Sequence, residues 1–119
     1  MIVPPIVLED RDVYLQFYDS VSEAIANLDL DDVLDREFLA YDSRGYPLSV
    51  EPTTEPGWVA KIEAIEAAPS HEDRLRAALL RALRLKGVPI TIATENLPLA
   101  QLLEHALEHA RHKHGYDLP

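Results

Sequence analysis

The chain has 119 residues, no cysteine, 47% hydrophobic and 27% charged residues, and a formal charge of −10. Its length suits one domain with a core of its own, and the lack of cysteine excludes disulfides, thiolate metal sites and a cysteine nucleophile. Residues 1–57 hold thirteen of the 21 acids and three of the 11 bases, which leaves the second half neutral and gives the first half a field that opposes nucleic-acid phosphates and anionic lipid.

The N-terminus has no basic leader, and acids arrive at Glu9 and Asp10. No apolar run approaches the ~20 residues of a membrane span, so a cytoplasmic, soluble protein is expected. Ile6-Val7-Leu8 reads as a strand, and Val13 to Tyr18, rich in β-branched and aromatic residues, reads as its partner. Ser20 is a good N-cap with Glu23 completing a capping box, and Val21, Ala24, Ile25 and Leu28 have helical spacing. Residues 28–37 form an acidic connector. Phe38 to Asp42 and Tyr46 to Val50 then flank Ser43-Arg44-Gly45, a hairpin loop with Gly at the left-handed position.

Residues 58–68 are ambiguous. Their composition favours a helix, whereas Trp58, Ala60, Ile62 and Ala64 alternate with Lys61 and Glu63 as in a strand. A third meander strand is expected, because a hairpin precedes it and a separately capped helix follows. Ser70 and Asp73 resemble a capping box, Leu75, Ala78, Leu79, Ala82 and Leu83 form one stripe, and Gly87 ends that helix. Leu80 and Leu85 fall off this stripe and point to a second contact face. Val88 to Ala93 reads as a short edge strand. Asn96 is expected to cap a last helix, with Pro98 near its start, that ends before Gly115. The sum is a single α+β domain over 1–119: two layers, with an antiparallel sheet of about four to five strands packed on two or three helices.

Asp29, Asp31, Asp32, Asp35 and Glu37, with Asp19 and Glu23 nearby, place seven carboxylates in nineteen residues. Calcium fails on spacing, since an EF-hand loop starting at Asp29 would need Gly and Glu where Leu34 and Ala40 stand. The cluster reads as a solvated face or as a docking surface for a basic protein, with Tyr41 and Tyr46 as anchors. His105, His109 and His112 fall on one helical stripe and form an alternative, metal-binding reading. The zincin Glu is missing after His105, however, and terminal histidines also suit a helix dipole. Arg74, Arg76, Arg81, Arg84 and Lys86 form a basic helix face. No aromatic between Trp58 and Tyr116 accompanies it, so it reads as a solvated face that pairs with acids. The serines lie in cap, turn or strand contexts, none in a Gly-x-Ser-x-Gly elbow, and the four glycines build no phosphate loop.

Phe17-Tyr18-Asp19-Ser20-Val21-Ser22-Glu23-Ala24, then Leu28, Asp32-Val33, Glu37 and Ala40-Tyr41-Asp42-Ser43-Arg44-Gly45, resemble a set of small bacterial proteins. Many are uncharacterised, and some are of the polymorphic-toxin immunity type. The likeness covers roughly residues 13 to 50. The chain departs from it by lacking a proline in the acidic connector and by carrying a histidine-bearing last helix. The resemblance implies a non-catalytic protein that occludes a toxin, with no catalytic residue and no cofactor to carry over. The reading is therefore a non-enzymatic acidic protein with a basic protein partner and neither nucleic acid nor membrane. Two alternatives stand beside it: a histidine metal site, and an oligomerisation module pairing as a homodimer through the last two helices.

Overall fold

Ile6, Val7 and Leu8 are each 0% exposed. Successive strand side chains point to opposite faces, so three consecutive buried residues require a sheet covered on both sides. The computed structural model describes residues 1–10, 15–34, 38–65, 68–112 and 115–118. In it β1 (Ile6–Glu9) is the central strand of a sheet ordered β5-β4-β3-β1-β2-β7-β6. β2 (Leu15–Tyr18), β3 (Leu39–Tyr41), β4 (Pro47–Pro52) and β5 (Ala60–Ala64) complete a five-stranded antiparallel sheet. The hairpin of β6 (Arg111–His112) and β7 (Gly115–Leu118) extends that sheet along β2.

The architecture is the expected two-layer α+β type, with its helical layer divided between the faces. Val7, Leu15, Phe17 and Tyr41 face α3 (Glu72–Leu85) and α5 (Leu99–His109) in one core. Ile6, Leu8, Tyr18, Ala40, Leu48, Ala60 and Ile62 form the other core with α1 (Val21–Ala26) and with Val33 of α2 (Leu30–Leu34). The stripes on α3 and α5 are buried as their spacing requires: Leu75, Leu79 and Leu83 on α3, and Leu99, Leu102 and Leu103 on α5. Burying each such side chain stabilises by roughly 1.5–3 kcal/mol. Of the two off-stripe leucines, Leu80 is buried in the first core and Leu85 is exposed. Although β5 is an edge strand, Ala60 and Ile62 are buried because α1 packs onto it. No helix among the described residues is long and apolar enough to cross a membrane.

Several local expectations give way to tertiary contacts. Ser20 does accept from the Glu23 N–H at 3.1 Å and caps α1. Ser70 does not cap α3. Its hydroxyl donates to the Arg44 carbonyl at 3.0 Å, and His71 takes the N-cap position. Residues 88–93 form no strand. Thr91 caps a short α4 (Ile92–Glu95) in a reciprocal bond pair with Thr94, a local geometry that satisfies backbone groups without a sheet neighbour. Asn96 ends α4 instead of starting α5, whose N-cap is Pro98. The last helix stops at His109, and the chain beyond it pairs with β2. The acidic connector is partly helical. The Asp29 side chain accepts from the Asp31 N–H at 2.9 Å, and Val33 plugs the turn into the core.

The hairpin turn is as expected, and its chemistry is concentrated on Asp42. That residue is 1% exposed. Its carboxylate accepts from the N–H groups of Arg44 at 2.9 Å, Tyr46 at 3.2 Å and Val3 at 3.3 Å. It also accepts from Arg44 Nε at 3.1 Å and Nη2 at 2.7 Å. Gly45 has φ +86°, and a Cβ there would lie 2.7 Å from the Glu72 Cα. Its carbonyl accepts from the His71 N–H at 2.8 Å, which locks the turn against the start of α3. Gly45→Ala combines a left-handed non-glycine with a backbone clash, so a loss of roughly 2–4 kcal/mol is expected. Asp42→Ala removes the shared acceptor of five part-buried N–H donors and should cost about 3 kcal/mol. Urea unfolding midpoints of the two variants measure both effects, and a shift smaller than that of an exposed control substitution would refute them.

Candidate interaction surface

The acidic residues singled out in the sequence converge on α2 and its approach. Asp29 precedes α2, accepts from the Asp31 N–H, and has its own carbonyl bonded by the Val33 N–H at 3.1 Å. Asp29 and Asp31 are both exposed, and neither has an ion-pair partner among the described residues. Asp32 lies within α2, with its side chain outside the described set. Asp35 and Glu37 lie outside the described residues.

Three exposed leucines accompany these carboxylates and were not singled out in the sequence. Leu30 and Leu34, one turn apart on α2, are 44% and 56% exposed, and Leu39 on β3 is half-exposed. Val33 takes the buried position of the same turn, so the backbone is anchored while Leu30 and Leu34 remain in contact with water. The i, i+4 spacing of these leucines was visible in the sequence. Read as a loop, the connector hid the fact that they share a helix face.

The two tyrosines part company. Tyr46 is 40% exposed, and the Arg44 guanidinium stacks 4.7 Å from its ring centroid. Tyr41 is 3% exposed and belongs to the core under α3 and α5, so it is no surface anchor. The pairing of Tyr41 with Val7 puts its side chain on the face of the sheet covered by α3 and α5. Burial pushes its hydroxyl above the ordinary value of 10.0, Arg74 opposes that shift, and Glu9 adds to it.

The histidine and arginine clusters assemble in part. His105 and His109 are neighbours on α5, with ring centroids 5.1 Å apart, whereas His112 lies beyond the helix in β6. The stripe of three is therefore broken by the end of α5, and no group of three metal-ligating side chains forms among the described residues. His105 Nδ1 is 3.9 Å from the Glu108 carboxylate, and both border an open groove of 520 Å³ between α4 and α5. Three of the bases, Arg76, Arg81 and Arg84, are engaged within the molecule. Arg81 meets Glu9 at 3.0 Å, Arg84 meets Glu95 at 3.0 Å, and Arg76 donates to the Leu97 carbonyl at 2.6 Å. Arg81 thus pairs with the acidic half as expected, while Arg76 and Arg84 serve the second half.

Compared with family models, with curated proteins and with solved structures, the chain finds no match.

Tyr41 generates a pH dependence. The buried phenol is held neutral, so its contribution is complete below the unfolded value of 10.0 and is lost as pH rises through the higher folded value. Tyr41→Phe should accordingly show a flatter decline of the urea midpoint above pH 10 than the wild type. Parallel declines would place the hydroxyl in water and contradict its burial.

Proposed function

We propose that this chain is a non-enzymatic acidic binding protein, an immunity protein or inhibitor that neutralises a basic toxin by occluding it. The observation that carries this reading is the composition of α2: Leu30 and Leu34 stand in solvent beside Asp29 and Asp31, which have no ion-pair partner among the described residues. Interfaces commonly place apolar anchors at the centre and charge at the rim. The leucines supply the apolar contact, and the carboxylates set the sign of the partner. The net charge of −10 adds a long-range field of the same sign, which speeds encounter with a basic protein and repels nucleic acid.

Occlusion requires no chemistry from this chain. A basic cleft on the partner would be covered by α2 and the adjoining hairpin, with charge steering the approach and the leucines slowing release. The likeness of residues 13 to 50 to immunity-type proteins agrees with this role, and both the acidic connector and the hairpin lie within that stretch.

The test begins with a low-salt pull-down from native lysate, followed by kinetics of the captured basic protein against two variants. Asp29→Lys with Asp31→Lys should slow association at least about tenfold at low salt and much less at high salt. Leu30→Ser with Leu34→Ser should leave the association rate near that of wild type and speed dissociation about tenfold or more. Both pairs are exposed, so neither should shift the unfolding midpoint by more than about 0.5 kcal/mol. Equal binding by wild type and both variants at both ionic strengths would sink the proposal.

A further inference from the structure

A cavity of 470 Å³ opens beside the β3–β4 turn, between the start of β4 on one side and Ala64, Ile65 and Ala68 on the other. Its size is that of small-molecule sites. Leu48, Ala64 and Ile65 line it on the apolar side, and Arg44 and Tyr46 line it on the polar side. Three large apolar side chains that the fold leaves exposed, Met1, Tyr46 and Ile65, border this one cavity. The guanidinium is held rigidly. Nε and Nη2 donate to Asp42, Nη2 also donates to the Met1 carbonyl at 2.8 Å, and the Tyr46 ring lies beneath. Its Nη1 has no hydrogen-bond partner among the described residues.

We propose that this cavity binds a small uncharged ligand, with its apolar body against Leu48, Ala64 and Ile65 and one carbonyl oxygen accepting from Arg44. The choice of a neutral acceptor over a carboxylate follows from charge. Asp42 sits 2.7 Å from the guanidinium and cancels it, and the chain as a whole carries −10. An anion therefore meets a donor without net attraction and a repulsive field around it. A cation meets the guanidinium, and although Asp42 also lines the cavity, its two oxygens already accept five N–H bonds. Because the donor is fixed before binding, a neutral ligand loses little to ordering of the protein.

Benzamide, benzoate and benzylamine share one apolar body and differ in charge, so titrations followed by the NMR shifts of Tyr46, Ala64 and Ile65 discriminate among them. Benzamide, with about nine non-hydrogen atoms, should give saturable shifts with a dissociation constant on the order of 1 mM. Benzoate should bind several-fold more weakly, and benzylamine should leave these resonances in place. Ala64→Phe fills the cavity, and Ile65→Asp makes its wall polar at a half-exposed position. In either variant the benzamide shifts should disappear while the Val3 and Tyr46 amides keep their Asp42-bonded positions in the free protein. No saturable shift with benzamide, tighter binding of benzoate than of benzamide, or unchanged titration in Ile65→Asp would each overturn the proposal.

Discussion

The Asp42 carboxylate ties the segment ahead of β1 to the β3–β4 turn, and the turn itself receives the start of α3. A buried charge is tolerable only when its acceptor capacity is filled, and here five N–H donors converge on it, two of them from the Arg44 guanidinium. Val3 ties down the segment ahead of β1, Arg44 and Tyr46 shape the β3–β4 turn, and the neighbouring Gly45 carbonyl receives the first turn of α3. The central strand, the hairpin and the longest helix are thus referred to one point. The turn approaches α3 so closely that no Cβ fits at Gly45. The rigid Arg44 beside the cavity is a by-product of the same bonds.

Around that point the sheet separates two environments. On one face α3 and α5 bury a leucine-rich core, and Arg76, Arg81 and Arg84 of α3 are taken up by backbone carbonyls, Glu9 and Glu95. On the other face α1 and α2 cover the remaining core with short helices. Among the described residues, Glu9 meets Arg81 and Asp42 meets Arg44, while Asp29 and Asp31 stay exposed without an ion-pair partner. Exposed ion pairs of the Arg84–Glu95 kind add at most about 1 kcal/mol each. Their importance lies in which charges they leave outside.

Much of the fold was legible because local patterns and tertiary demand agreed. The period-2 and period-3.6 stripes placed β4, β5, α3 and α5, and the Ser-Arg-Gly loop placed the hairpin. The errors share one cause. Ser70, Asn96 and residues 88–93 carry good cap or strand chemistry, and other partners outbid it: the Arg44 carbonyl for Ser70, and the Thr91–Thr94 pair for the short α4. The C-terminal hairpin was missed because an apolar stripe running to Ala110 looks helical until β2 offers an edge to pair with.

The candidate surface divides in the same way. The sequence alone determined the sign and location of the charge, the absence of thiol chemistry and the amphipathic stripes, since each depends on residue identity and spacing. Which side chains reach the surface was decided by the tertiary structure. Tyr41 and Tyr46 are five residues apart and chemically alike, yet one is sealed under α3 and the other stacks in the open under Arg44. Leu30 and Leu34 match the core leucines in composition but stand in water, because Val33 already fills the position facing the sheet. Burial depends on what packs across from a residue, and that partner lies elsewhere in the chain.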